Sequence, residues 1–295
     1  MTSTDIREIV VISGKGGTGK TSVSAAFAVL ADHPVVVDCD VDAADLYLIL
    51  APKIIERREF RAGYEAEIDP AKCRRCGACY KHCRFDAVRE DNGRTGTTPF
   101  RIDPIACEGC GVCVRFCPEH AIDFRERSCG EWFVSETRCG PMVHARLGIA
   151  AENSGKLVSV VRREARRIAE EARRPMIIVD GAPGIGCPVI ASVTGATLVL
   201  IVAEPTVSGE HDMNRVLSLV RHFRVSAAVC VNKWDLNPHI TERIEDMARG
   251  LGAQVVGRIR YDPAVTAAQI EGKTVIETGA PCTEDIERVW QTLDV

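Results

Sequence analysis

The chain has 295 residues, a formal net charge of −4 at pH 7, 46% hydrophobic residues and 26% charged residues. This composition is typical of a soluble globular protein that forms one large domain or two smaller ones. The negative balance argues against bulk attraction to nucleic acid or anionic lipid, and no apolar run approaches the ~18 residues that a membrane span needs. We therefore expect a cytoplasmic protein with neither nucleic acid nor a membrane as its partner.

Strand-like and helix-like stretches alternate along most of the chain. The β-branched run "IREIVVIS" leads through a glycine loop into an alanine-rich helical stretch, and "PVVVDCD" is a second buried strand. A cysteine-rich segment and paired strands follow, and then come the helix "LVSVVRREARRIAEEARR" and the strands "MIIVD", "ATLVLIVAEP", "VSAAVCVN" and "QVVGRIRYD". Apolar strands between amphipathic helices predict an α/β fold, with a mostly parallel sheet and helices on both faces.

The loop "GKGGTGKT" fits the phosphate-binding pattern Gly-x-x-x-x-Gly-Lys-Thr between a strand and a helix. In such a loop, successive backbone N–H groups surround phosphate oxygens, the lysine neutralises their charge, and the threonine hydroxyl binds Mg²⁺. The predicted nucleotide-binding residues are Gly14, Lys15, Gly16, Gly17, Thr18, Gly19, Lys20 and Thr21. The alternative is a glycine-rich turn that binds no ligand.

The segment "KGGTGKT" resembles the deviant Walker A loop of the MinD/ParA, Mrp and nitrogenase iron protein superfamily. The resemblance implies ATP as the nucleotide and a homodimer that sandwiches it. It also implies that Lys15 reaches across this dimer to the phosphates bound by the partner subunit, where a cation stabilises the charge that develops during phosphoryl transfer. The alternative for Lys15 is a solvated loop lysine.

Two acidic strand ends resemble the switch segments of the same superfamily. In "VVVDCDVDAADL", the resemblance implies that Asp40 orients the attacking water and that Asp38 lies near Mg²⁺. In "MIIVDGAPGIG", it implies that Asp180 lies near the metal and that Gly184 moves with the γ-phosphate. The implied catalytic set is Lys15, Lys20, Asp40 and Asp180. Each aspartate taken alone could instead form a turn or cap a helix.

The segment "VNKWD" leaves the nucleotide base open. Asn-Lys-x-Asp after a buried strand is typical of guanine-specific GTPases, whereas the deviant Walker superfamily uses an asparagine at this strand end to contact adenine. The whole-site context favours ATP, with Asn232 as the base-contacting residue.

Eight of the fourteen cysteines form two motifs of the pattern Cys-x₂-Cys-x₂-Cys-x₃-Cys. This is the bacterial ferredoxin pattern for two [4Fe–4S] clusters, in which the fourth cysteine of each motif crosses to the other cluster. One cluster should use Cys73, Cys76, Cys79 and Cys117, and the other Cys107, Cys110, Cys113 and Cys83. Arg84 stands where a proline usually follows the motif. Zinc is the alternative, although zinc sites favour paired rather than tripled cysteines.

The two modules together resemble MinD-superfamily ATPases with an inserted, small α+β ferredoxin domain. The insert should span residues 64–126, and the discontinuous ATPase domain residues 1–63 and 127–295. The expected function is ATP hydrolysis and dimer switching coupled to electron transfer to a redox partner protein. An iron–sulfur carrier ATPase of Mrp type and a redox-sensing regulatory ATPase are the alternatives.

Cys187 carries a further hypothesis. It follows Asp180 at the offset of a cluster ligand in the nitrogenase iron protein, so it could hold a subunit-bridging cluster together with Cys129 or Cys139. The favoured alternative is that Cys187 and Cys230 are small buried residues, the usual state of a free cysteine.

Overall fold

The computed structural model describes residues 6–90, 100–148 and 153–293. The strands are β1 (Arg7–Ser13), β2 (Val35–Asp38), β3 (Lys53–Ile68), β4 (Val88–Glu90), β5 (Phe100–Ile102), β6 (Ile122–Thr137), β7 (Gly140–Leu147), β8 (Met176–Pro183), β9 (Leu198–Ala203), β10 (Ser226–Asn232) and β11 (Gln254–Ile259). The helices are α1 (Lys20–Leu30), α2 (Leu46–Leu50), α3 (Ala78–His82), α4 (Val112–Arg115), α5 (Ser154–Glu171), α6 (Cys187–Val193), α7 (Val207–His222), α8 (Pro238–Gly250), α9 (Ala264–Ile270) and α10 (Thr283–Thr292).

Nine strands form one sheet in the order β11-β10-β9-β1-β8-β2-β7-β6-β3. Every adjacent pair from β11 to β7 is parallel. The predicted α/β fold with a mostly parallel sheet is therefore confirmed. The carboxyl ends of β1, β2, β8, β9 and β10 meet along one edge of this sheet, which is where a parallel sheet binds its ligands.

Strand β1 shows why the sheet is covered on both faces. Ile9 and Val11 belong to a core that also contains residues of α1 and α10, including Phe27. Val10 and Ile12 point to the opposite face, because side chains alternate along a strand, and both are fully buried. The continuous apolar run that predicted a strand thus reflects burial on two sides.

The described chain divides into two compact units. The first comprises the residues up to Arg58, Glu131–Leu147 and the residues from Asn153 onward. The second comprises Glu59–Gly130 and the stretch that begins at Gly148. The predicted insert, residues 64–126, lies within the bounds of the second unit.

The second unit is small and has mixed α and β structure. Strands β4 and β5 pair antiparallel, and α3 and α4 each follow a glycine in the left-handed conformation. Its core contains Ala66, Val88 and Ile122, with several of the motif cysteines packed against them. Among the described helices of both units, none is long and apolar enough to cross a membrane.

Candidate functional site

The phosphate loop connects the end of β1 to the start of α1, and two of its positions require glycine. A Cβ atom on Gly14 would lie 2.4 Å from Cβ of Asp212. Gly19 has φ of 90°, and a Cβ there would lie 2.3 Å from the amide nitrogen of Asn232. A side chain at Gly14 would also approach the backbone of Asp212, at 2.8 Å, and the φ of Gly19 is one that residues with a side chain rarely adopt, so the loop depends on glycine at both positions.

Asp180, in the carboxyl-terminal half of β8, organises the hydroxyl and ammonium groups of α1. Its Oδ1 accepts hydrogen bonds from Lys20 Nζ at 2.9 Å and Ser24 Oγ at 2.7 Å. Its Oδ2 accepts one from Thr21 Oγ1 at 2.8 Å. The parallel pairing of β1 and β8 brings the loop and this carboxylate together.

Asp38, the last residue of β2, and Asp40, two residues later, complete an acidic cluster around Lys20. Lys20 Nζ lies 3.5 Å from Asp40 Oδ2, whereas Asp38 accepts hydrogen bonds from the backbone N–H groups of Asp40 and Leu46 at 3.0 and 3.3 Å. Asp38 therefore holds the segment that positions Asp40. Three carboxylates face one ammonium in this cluster, so a divalent cation would balance its charge.

The charges in this cluster shift one another's protonation. Burial, followed by the charge of Asp180, raises the pKa of Asp38 well above its usual range. Burial also raises the pKa of Asp40. Burial opposes the charge of Lys20, yet the carboxylates of Asp180, Asp40 and Asp38 outweigh it and raise the pKa of the ammonium. Lys20 is therefore cationic and able to neutralise phosphate.

Lys15 is held within its own chain by residues around the end of β9. Its Nζ lies 3.0 Å from Oε2 of Glu204 and donates to Thr206 Oγ1 at 3.4 Å and Ser208 Oγ at 3.3 Å. The side chain keeps one third of its area exposed to solvent. Lys15 therefore has polar partners within its own chain in this state.

The Asn-Lys-x-Asp segment braces the phosphate loop. Asn232 donates from its amide to the carbonyl of Thr18 at 2.7 Å. Lys233 Nζ donates to the carbonyl of Gly17 at 3.1 Å and to Glu204 Oε1 at 3.0 Å. Contact of Asn232 with a base remains a prediction, since its amide nitrogen is directed to the loop backbone here.

A cleft of about 1030 Å³ opens beside the loop and the acidic cluster. Its lining includes the loop from Gly16 to Thr21, Asp40, and residues of α2 and α9. The hydroxyl oxygen of Thr18 is buried and has no hydrogen-bond partner among the described residues. The cleft is large enough for a nucleotide, and its donors suit phosphate and Mg²⁺.

The cysteine motifs of the second unit line two small cavities of about 20 Å³ each. The first cavity is lined by Cys73, Cys76, Cys79 and Cys117. The second is lined by Cys83, Cys107, Cys110 and Cys113. The fourth cysteine of each motif thus lies at the cavity of the other motif.

Backbone N–H groups point to the two crossing cysteines. The N–H of Ala121 donates to Sγ of Cys117 at 3.3 Å. Burial opposes ionisation of Cys83, but backbone N–H groups from Phe85, Val88 and Ala87 outweigh it and lower its pKa. In the described ranges of the chain, no group of three or more His, Cys, Asp or Glu side chains is placed to hold a single metal ion.

The remaining cysteines divide by burial. Cys187, at the start of α6, is exposed, so the favoured prediction that it is buried is wrong. The segment that precedes α6 carries this residue to the surface. Cys230 is fully buried, as predicted, and Cys129 and Cys139 are buried too. Cys129 donates from Sγ to the carbonyl of Ala62 at 3.1 Å, so its thiol already has a structural partner.

Comparison with known proteins identifies the nucleotide-binding part. A family model described as the CobQ/CobB/MinD/ParA nucleotide binding domain, CbiA, matches residues 9–275. The chain belongs to this family. A relative of this CbiA-family chain is the uncharacterized protein MJ0578 of Methanocaldococcus jannaschii. The two are 35% identical over 238 residues, which are 79% of the chain and 80% of that protein.

Two solved MinD structures share the fold of this CbiA-family protein. The cell division ATPase MinD of Pyrococcus furiosus superposes with a TM-score of 0.59 at 16% identity and covers 98% of both chains. The septum site-determining protein MinD of Pyrococcus horikoshii, solved with Mg-ADP, has a TM-score of 0.59 at 14% identity, over 98% of this chain and 96% of that one. The MinD/ParA resemblance of the nucleotide-binding domain is thereby confirmed.

Three polar residues of the site were not predicted. Ser24 lies one helical turn after Lys20, so the 3.6-residue period of α1 would have placed both on one side. Glu204 directly follows β9, where a charged residue after an apolar run signals the ligand edge of the sheet. Lys233 was considered only as part of a guanine motif.

Proposed function

We propose that this protein hydrolyses ATP and couples nucleotide-driven dimer switching to electron transfer through two [4Fe–4S] clusters to a partner protein. The proposal of ATP hydrolysis extends the assignment to the CbiA nucleotide-binding family. The electron-transfer part depends on the second unit and its eight motif cysteines.

In the ATPase part, each residue has a role that follows from its contacts. Lys20 and the loop N–H groups would bind the phosphates, and the 2.8 Å separation between oxygens of Thr21 and Asp180 supports a shared role in holding Mg²⁺. Asp40 is poised beside Lys20 to orient water. Lys15 would leave Glu204 and bind phosphate of the partner subunit, as the superfamily resemblance implies.

In the second unit, the single observation that carries the proposal is the crossing of the fourth cysteines. Each cavity is lined by three cysteines of one motif and the last cysteine of the other. Two-cluster ferredoxins have this ligand arrangement, whereas zinc sites are built from paired cysteines. The donor set of four thiols per cavity fits a [4Fe–4S] cluster, which when bound supplies one-electron oxidation and reduction.

The surroundings of the cysteines also fit this assignment. The N–H groups directed at Cys117 and Cys83 stabilise negative charge on sulfur, and hydrogen bonds to sulfur are one of the factors that set a cluster potential. Apolar side chains, including Ile68 and Phe100, pack beside the first cavity. They exclude water from one side of the thiols.

The decisive experiment combines composition, spectroscopy and nucleotide dependence in anaerobically purified protein. We expect roughly eight iron and eight sulfide per chain, the content of two [4Fe–4S] clusters. EPR redox titrations with ADP and with a non-hydrolysable ATP analogue should give different potentials or partner affinities. Lys15→Ala should abolish nucleotide-dependent dimerisation, whereas the matched change at exposed Lys53 should not.

The same measurements separate the alternatives. Release of a cluster to an apo-acceptor would favour the carrier ATPase, but Cys282, the one motif-free cysteine near the carboxyl end of the chain, is fully buried. A redox sensor would be favoured if the cluster potential is the same with every nucleotide while the ATPase activity changes with the oxidation state of the clusters. Comparison of ATP with GTP in the same assay tests the base preference.

A further inference from the structure

The two cysteine motifs are related by a shift of 34 positions, which allows a residue-by-residue comparison. Residues 69–85 and 103–119 both begin with Asp-Pro and place their cysteines in register. Asp69 and Asp103 make equivalent hydrogen bonds, to the N–H of Ala71 at 2.9 Å and of Ile105 at 3.0 Å. The two motifs therefore begin with the same local backbone arrangement, and the differences between their side chains can be compared position by position.

Charge is the largest of these differences. The first window carries five cations, Lys72, Arg74, Arg75, Lys81 and Arg84, against one carboxylate, a net charge of +4. The second carries one cation against three carboxylates, a net charge of −2. All five cations are exposed, and they stand out in a chain whose overall charge is −4.

Three of the five cations have no carboxylate partner in the described structure. Lys72 pairs with Asp69 and Arg74 with Glu119, at 2.9 and 2.8 Å. Arg75, Lys81 and Arg84 make no such pair with any described residue. Their charge is therefore available to a molecule that approaches the first motif, where Cys76 is exposed.

Arg75 also adopts a backbone conformation that its residue type disfavours. Its φ is 66°, whereas the residue in register in the second motif is Gly109, with φ of 60°. A left-handed conformation is unfavourable for a residue that has a side chain, whereas glycine adopts it without this cost. An arginine at this position strains the loop and places an unpaired charge next to Cys76, so folding alone does not explain it.

We propose that the first cysteine motif is the docking surface for an acidic electron-carrier protein, bound through Arg75, Lys81 and Arg84. This inference rests on the proposed function, because it assumes that the first cavity holds a cluster. Unpaired cations around an exposed ligand select a partner of negative charge and speed its encounter, while the acidic second motif repels the same partner. The partner is thereby directed to one of the two cavities.

The test uses the full-length holoprotein and two probes of opposite charge, an acidic flavodoxin and a basic cytochrome c. Binding is measured by biolayer interferometry at low and high salt. The tested variant is Arg75→Gly with Lys81→Gln, and the control is Arg115→Gln, since Arg115 is in register with Lys81. We expect binding of flavodoxin in preference to cytochrome c, weakened about tenfold in the double variant and lost at high salt.

Iron content and thermal stability of each variant separate docking from folding. Iron should stay at the wild-type level, and Arg75→Gly should melt no lower than wild type, because glycine relieves the left-handed strain. Equal binding of both probes, or equal loss in the control, would overturn the docking surface and leave the proposed function intact. Wild-type protein without iron would overturn both.

Discussion

Glu204 binds Lys15 with one carboxylate oxygen and Lys233 with the other, at 3.0 Å in each case. Burial works against its charge, but the two lysines outweigh it and lower the pKa of Glu204. Lys15 belongs to the phosphate loop, and Lys233 donates to the carbonyl of Gly17 in the same loop. One carboxylate thus holds both the loop and the lysine that the proposed dimer requires.

The first prediction follows from this competition. Glu204→Gln removes the charge that keeps Lys15 in its own subunit, so ATP-dependent dimers should form at about fivefold lower protein concentration, the equivalent of about 0.5 kcal/mol for each of the two partly exposed ion pairs that a dimer releases. Sedimentation velocity over a concentration series with an ATP analogue measures this. In a Lys15→Ala background the same change should have no effect. If Glu204→Gln alone leaves dimerisation unaltered, the contact between Glu204 and Lys15 does not oppose dimerisation.

The second prediction concerns the fit of the phosphate loop. Gly14→Ala should destabilise the nucleotide-free protein, because the new Cβ would meet both Cβ and the backbone of Asp212. A loss of about 2 kcal/mol or more is expected for such overpacking. Gly16→Ala is the matched control, since its Cβ would meet nothing within 4 Å. Urea unfolding of the two variants gives the comparison, and equal stabilities would contradict it.

The third prediction concerns pH. His144 is buried, which lowers its pKa to about 4, and its Nε2 is 2.9 Å from Ser135 Oγ. The unfolded chain binds a proton near pH 6.5, whereas the folded chain does so only near pH 4. Stability should therefore fall by up to about 3 kcal/mol as the pH drops between these values, and level off below.

His144→Gln isolates this effect. The variant removes the titrating group, so its unfolding free energy should lose this part of the slope between pH 6.5 and 4, whatever its stability at pH 7. Urea denaturation at half-unit pH steps measures the slopes. Parallel curves for variant and wild type would assign the acid sensitivity to other groups.

The fourth prediction tests the cavities directly. Cys79→Ala removes a thiol from the first cavity and should lower the iron content to about half, because the cluster there loses a ligand. Cys129→Ala is the control, since the thiol of Cys129 contacts the carbonyl of Ala62 and lines neither cavity. Iron content that is equal in both variants would count against the cavity assignment.

Local patterns predicted those parts of the fold and site that depend on short spacings. The phosphate loop and the mostly parallel sheet needed only a glycine motif and apolar runs, and Asp180 was implied by the resemblance of its segment to a superfamily switch. Strand β3 was missed because Lys53–Ile68 is largely exposed along its length and has no apolar periodicity. The clamp by Glu204 joins residues 189 positions apart, so no local pattern contains it. The burial of Cys187 was mispredicted because the prediction used the average burial of cysteine. That average takes no account of the position of Cys187 at the exposed start of α6.

The exchange of the last cysteine between the motifs has a consequence for maturation. Neither cavity can acquire its full complement of sulfur atoms from one contiguous peptide, because Cys83 and Cys117 each complete the neighbour's lining. A nascent chain that ends after the first motif still lacks Cys117 for the first cavity, and it lacks three of the four cysteines of the second cavity. Under the proposed function, loading with iron would therefore follow translation of the whole segment, and loss of Cys83 or Cys117 would remove a ligand from the cavity of the other motif.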